Sequence, residues 1–380
     1  MKSKFLAGVL SAAMIMTMLT GCAGKDNPSS GTATTDQAAE TAGSESASTA
    51  AGGEYHFEIV SKGFQHQYWQ AVLKGAEEKA AELGVTIKFV GPNSESDIAD
   101  QVQMVNNAVS QKPAAIGLAA LDTNACLDAI QSAKDAGIPI IGFDSGVPNA
   151  PEGAVLANCS TDNYAAGELA AEETYKAVKD RIASASEPVR IGVLSQDATG
   201  ESTVNRGLGF IDKFAELVVA DGKTTTVEGN EKFVSDSKCE KTAGADVVLE
   251  VLVPSTVDSA LSATDCGTLL NKKDTIAIYG SNQHSGEAMV TANENLQRFG
   301  QGEGQVIGAT FDSGEVIKAA VADGTFIGAV TQAPVAMGAV LVETLIKVAD
   351  GESVTDIDTG CQWYTADNME DPEIAPNLYD

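Results

Sequence analysis

Positive charge is scarce in this 380-residue chain: 24 lysines and arginines face 53 aspartates and glutamates, for a net charge of −29. Nucleic acid and anionic lipid surfaces both demand basic patches, so neither is expected as a partner. Histidine is scarcer still, with three residues, which leaves little material for a metal centre. There is no Gly-x-Ser-x-Gly, no His-Glu-x-x-His and no Walker sequence, which removes common hydrolase, zinc-peptidase and nucleotide-binding signatures. Gly300-Gln301-Gly302-Glu303-Gly304 follows no strand and has the wrong spacing for a dinucleotide. Asp122, Asp144 and Asp312 could supply a general acid and base, but with no positioned nucleophile binding is the simpler use. No catalysis, cofactor or metal is expected.

The first residues point outside the cytoplasm. Lys2 and Lys4 precede an apolar run from Phe5 to Leu19, of signal-peptide length and too short to cross a bilayer. It ends in Leu19-Thr20-Gly21-Cys22, which matches a lipoprotein lipobox. Cys22 is then the acylated residue and several acyl chains hold the protein at the outer face of the membrane, or in the periplasm if the cell has an outer membrane. From 23 to 53 the chain has no aromatic residue and no aliphatic one larger than alanine, so it cannot bury enough apolar surface to fold and reads as a tether. Five cysteines remain, an odd number. Cys239 and Cys266 could pair in an oxidising compartment, or all could be small buried thiols.

The remaining ~325 residues exceed a single-core domain. They alternate short apolar strands with amphipathic helices: strand Phe57 to Val60, a helix through Trp69, Val72, Ala76 and Ala80, strand Val85 to Val90, and a helix from Asp97 to Gln111 with Ser96 as its cap. The rhythm restarts after Asn158 and runs to a last strand near Tyr364, with a poorly readable stretch from 222 to 254. Such alternation predicts an α/β protein with two similar halves, its parallel strands covered on both faces by helices.

Ligands of open parallel sheets bind beyond the carboxyl ends of the strands. The residues there include Ser61-Lys62, His66, Tyr68, Trp69, Asp122, Asp144, Gln196-Asp197, Asn282-Gln283-His284, Asp312 and Gln332. Carboxylates accept hydroxyl protons, Arg206, Asn282 and Gln332 donate, and an indole covers the C–H face of a sugar ring. Each has a plainer use: an Asp after a strand is often a helix cap, and Trp69 could be core. Zinc held by His66, His284 and Asp144 is a weaker alternative. If the two imidazoles act as acceptors, affinity falls in mild acid.

At these residues the chain resembles the periplasmic binding proteins of the ribose-binding type, over roughly Phe57 to Thr365. His66-Gln67-Tyr68-Trp69 stands where that family has Asn-Pro-Phe-Phe. Ala136-Gly137-Ile138-Pro139 to Asp144 matches its ligand-binding aspartate strand, with Ser145 replacing the usual arginine. Asp162-Asn163 with Gly167, Arg206 four residues before Phe210, Phe311-Asp312, and Gln332-Ala333-Pro334 with Gly338 match in order. The resemblance implies a type I periplasmic binding fold, two doubly wound parallel-sheet lobes joined by three crossings, near Ser160, Gln332 and Tyr364. The lobes would be 54–160 plus 333–363 and 161–332 plus 364–380. It implies ligand contacts from His66, Tyr68, Trp69, Asp144, Arg206, Asn282, Asp312 and Gln332. The expected ligand is a small sugar or polyol, delivered by a monomer to an ABC permease with its ATPase. A chemotactic or signalling sensor, or a binder of a nucleoside or signalling furanose, is the alternative.

Overall fold

The computed structural model describes residues 55–64 and 66–380. The leader, Cys22 and the 23–53 tether lie outside the described residues. Among the described residues no helix is long and apolar enough to cross a membrane.

The chain first lays down β1 (His56–Val60), α1 (Gln67–Leu83), β2 (Thr86–Val90), α2 (Ile98–Gln111), β3 (Ala115–Leu118), α3 (Leu127–Asp135), β4 (Ile140–Phe143) and β5 (Val155–Ser160). It then crosses to α4 (Asn163–Ser184), β6 (Val189–Leu194), α5 (Glu201–Ala220), β7 (Thr225–Gly229), α6 (Glu231–Asp236), β8 (Val247–Leu252), α7 (Ser259–Asn271), β9 (Thr275–Gly280), α8 (Gln283–Leu296), β10 (Ile307–Phe311), α9 (Glu315–Ala322) and β11 (Phe326–Gln332). It returns for α10 (Pro334–Ala349) and β12 (Ile357–Asp358), and crosses again into β13 (Cys361–Tyr364).

Two sheets result. The first has the order β12-β5-β4-β3-β1-β2 and the second β13-β11-β10-β9-β6-β8-β7. All pairings are parallel except β11 with β13. The central strands are covered on both faces, which is why β3 and β4 read as unbroken apolar runs with every residue buried. Phe57, Ile59, Ile141 and Phe143 form one side of the first core with Leu341 and Leu345 of α10. Phe210, Phe214 and Tyr279 stack in the second. Each such side chain contributes roughly 1.5–3 kcal/mol on burial.

Reciprocal glycines fasten one helix pair in each lobe. A Cβ on Gly75 of α1 would lie 1.9 Å from the Val335 carbonyl oxygen of α10, and one on Gly338 of α10 would lie 2.1 Å from the Val72 carbonyl oxygen. In the second lobe Gly167 of α4 and Gly209 of α5 do the same, against Arg206 and Tyr164 carbonyl oxygens at 2.2 and 2.1 Å. Only glycine allows backbones this close.

The three crossings lie side by side. The Thr161 hydroxyl is 3.1 Å from Gln332 Oε1 and 3.1 Å from the Gly360 carbonyl oxygen, so one side chain touches all three. The third crossing falls between Asp358 and Cys361, upstream of the expected Tyr364, because Cys361–Tyr364 pairs with β11 of the second sheet. The cap of α2 is Asp97 rather than Ser96, whose hydroxyl instead bonds Ser94 at 2.7 Å. The five described cysteines are free thiols: Cys239 lies near Thr225 in one core and Cys266 in another, so this pair is not joined.

Candidate functional site

The carboxyl ends of both sheets face one another, and their loops enclose a cavity. His66, Tyr68, Trp69, Asp144, Arg206, Asn282, Asp312 and Gln332 all line it. The structure therefore brings together every residue singled out for ligand contact. Lys62, Glu95, Thr203 and Gln283 complete the wall.

Each lobe contributes an aspartate at the end of a strand, Asp144 after β4 and Asp312 after β10, and neither is the N-cap residue of the helix that follows it. Both take the left-handed backbone conformation, with φ of 57° and 72°. Non-glycine residues seldom adopt it, and such positions gather at functional sites. The turn aims both carboxylates into the cavity. Asp144 Oδ1 accepts a hydrogen bond from the Tyr68 hydroxyl at 2.7 Å, while its Oδ2 lies 3.5 Å from Lys62 Nζ with no hydrogen-bond donor. Asp312 is fuller: it accepts from Gln332 Nε2 at 2.6 Å and from the Gln283 backbone N–H at 2.9 Å, and Arg206 Nη1 is 3.7 Å away. Burial raises the Asp312 pKa, with the Arg206 charge and the hydrogen bonds from Gln332 and Gln283 opposing.

Arg206 is held from three sides. Its Nε donates to Asn163 Oδ1 at 2.8 Å, its Nη1 reaches the Ser281 carbonyl, and its guanidinium lies 3.9 Å over the Phe311 ring. Its Nη2 is buried with no acceptor. Burial alone would lower the Lys62 pKa, but Asp144, Glu95 and Asp197 outweigh it and raise it. Glu95 is the mirror case: burial works upward, and Lys62, His66, Gln196 and Trp69 together hold the carboxyl below its ordinary value.

Trp69 serves both the core and the cavity. It is 2% exposed and meets Tyr68 and Phe143 edge-on, while its Nε1–H donates to Glu95 Oε1 at 2.7 Å. Glu95 Oε2 accepts from Gln196 Nε2 of the other lobe at 2.8 Å. Further bonds cross the cleft from Lys62 to Ser202, from Gly146 N–H to Glu201, and between Gln283 and Gln67. Asn282 spends its oxygen on the cap of α8 and its amide on Gln196, at 2.6 Å.

The histidines stand apart from the aspartates. His66 and His284 approach edge-to-face with ring centroids 5.8 Å apart, and His284 Nε2 pairs with Ser262 Oγ at 2.9 Å. Burial pushes the His284 imidazole down to about 4, with the neighbouring His66 adding to the shift. His284 thus stays neutral through mild acid, and the expected acid-labile acceptor is not this residue. Among the described residues no group of three or more His, Cys, Asp or Glu side chains is placed to hold a metal ion, so the zinc alternative loses its geometry.

Lys62 and Gln283 stood among the strand-end residues in the sequence without being singled out. Glu95, in the loop after β2, gave no signal except that a buried indole N–H needs an acceptor.

Comparison with known proteins supplies the remaining findings. Residues 57–353 match a family described as the periplasmic binding protein domain. The ribose import binding protein of Escherichia coli is 24% identical over 78% of this chain and 85% of its own. A solved solute-binding protein from Agrobacterium vitis, with D-fucose bound, is 30% identical with a TM-score of 0.70, covering 85% of this chain and 100% of that one. A structure from Brachyspira murdochii, described as an ABC transporter, LacI family transcriptional regulator, is 35% identical with a TM-score of 0.72, covering 86% and 99%.

Proposed function

The chain belongs to the periplasmic binding protein family, and from that premise we propose that its cleft captures a monosaccharide and presents it to an ABC importer. It is a binding protein and not an enzyme. One observation carries the choice of ligand: Asp144 Oδ2 and Arg206 Nη2, an acceptor and a donor from opposite lobes, are both buried in the cavity and both without a hydrogen-bond partner. Leaving such groups unpaired costs about 1–3 kcal/mol each, more when charged. A sugar hydroxyl donates and accepts at once, so ring hydroxyls can satisfy both, with the Trp69 indole against the C–H face. Three carboxylates (Glu95, Asp144, Asp312) against two cations (Lys62, Arg206) disfavour a phosphorylated or carboxylated guest. The same relatives bind named sugars: ribose for the E. coli protein and D-fucose for the A. vitis structure.

A ligand touching both lobes favours the closed arrangement by its differential affinity for it, and the permease would read that arrangement. Cys22 would carry the acyl anchor and residues 23–53 would hold the domain off the membrane. Thermal-shift screening of the purified protein against pentoses, hexoses, polyols and nucleosides tests the proposal. At a hundredfold excess over Kd a ligand adds about 2.7 kcal/mol of stability. Stabilisation by one or a few sugars is expected; stabilisation by a nucleoside alone, or by none of the panel, would overturn it.

A further inference from the structure

Beyond the inner cavity the cleft widens into a second chamber of about 460 Å³. Ser94 and Ser96 come from the first lobe, and Thr256, Asp258, Ser259 and Glu287 from the second. The lining is almost wholly polar, with Val257 its one apolar side chain, and among the described residues it holds no lysine or arginine. His66 belongs to both spaces and forms the partition between them. Its Nε2 is buried without a hydrogen-bond partner, and its Nδ1 lies 3.8 Å from Glu287 Oε2. The chamber is too polar for an aglycone of hydrocarbon or aromatic type, and its two carboxylates repel an anionic one.

We propose that this outer chamber is a second subsite that takes an uncharged, hydroxylated substituent of the bound sugar, so that the preferred ligand is a glycoside of a polyol or of a second sugar. The inference rests on the sugar reading of the inner cavity. The substituent passes His66, whose Nε2 meets a hydroxyl at the junction. It then lies between the Ser94–Ser96 loop and the start of α7, where hydroxyls of both lobes and the Asp258 and Glu287 carboxylates of the second reach it. Because the two walls belong to different lobes, these contacts exist only when the cleft is closed, and they add to affinity chiefly by slowing release.

Titration calorimetry of the protein with D-ribose, D-arabinose, D-glucose and D-galactose tests this, each offered as free sugar, methyl glycoside, glycerol glycoside and phosphate ester. For the sugar that binds, the glycerol glycoside is expected to bind at least tenfold tighter than the methyl glycoside, and the phosphate ester more weakly than the free sugar. Thr256→Trp and Ser259→Trp, at exposed positions that fill the chamber, should each remove that gain and leave the free sugar within threefold. Equal binding of methyl and glycerol glycosides, or a gain that survives both tryptophans, would overturn the second subsite while leaving the inner site intact. Failure of every free sugar and every glycoside to bind would overturn the sugar reading itself.

Discussion

Replacing Asp144 by asparagine isolates one atom of the site. Asparagine tolerates the left-handed backbone that Asp144 occupies, and its carbonyl oxygen can still accept from the Tyr68 hydroxyl. What changes is Oδ2, the carboxylate oxygen with no hydrogen-bond donor, which becomes an amide donor. Lys62 loses its ion-pair partner at 3.5 Å but keeps the charges of Glu95 and Asp197. The ligand-free variant should therefore fold yet melt below the parent, and each ligand shift is read against the same protein without ligand. The ligand loses a hydrogen bond to a charged group, worth roughly 1.5–3 kcal/mol, or about 10- to 150-fold in Kd. In a thermal-shift assay at a hundredfold excess over the parent Kd, the ligand contributes about 2.7 kcal/mol to the parent. At a hundredfold weaker Kd the same concentration contributes only about 0.4 kcal/mol. Calorimetry gives the Kd directly. A variant that folds and binds within threefold of the parent would refute the assignment of Asp144 Oδ2 to the ligand.

Two further outcomes follow from the site's surroundings. His284 is neutral in the fold down to about pH 4, whereas in the unfolded chain it protonates near 6.5. The unfolded state therefore binds the extra proton between those values, and stability should fall as pH drops from about 6.5 to 4, by on the order of 3 kcal/mol. Melting curves at pH 7.5 and 5 should show a slope that His284→Gln lessens; an unchanged slope would contradict the buried neutral imidazole. Gly167→Ala places a methyl 2.2 Å from the Arg206 carbonyl oxygen and should cost roughly 1–3 kcal/mol through forced separation of α4 and α5. Denaturant melts and ligand titration should show both lower stability and weaker binding, since α5 carries Arg206; undiminished affinity would mean that the contact does not position the site.

Much of this architecture was legible in the chain, for physical reasons that also explain the failures. Ile140–Phe143 is buried on both faces and so reads as an apolar run, and the aspartate that follows is conspicuous. The segment from 222 to 254 folds as β7, α6 and β8, but β7 is threonine-rich and buries alternate residues only, and α6 buries Phe233 alone. Helix α8 has no apolar stripe at its start, because it opens on Gln283-His284-Ser285-Gly286, polar and small residues that are nonetheless all buried. Glu95 lies in a loop whose position no periodicity reveals; the fold of the first lobe brings it to Trp69, and the facing lobe supplies Gln196.

The hydroxyl of Thr161 ties guest selection to mechanics. It touches Gln332 Oε1, and the amide of that same Gln332 holds Asp312 in the cavity wall. Asn163, two residues on, donates to the Asp144 carbonyl and accepts from Arg206. The joint and the recognition surface thus share atoms. Redesigning this cavity for a different guest would also reset how far and how readily the two halves swing, so a biosensor built on this scaffold would have its selectivity and its signal amplitude tuned together.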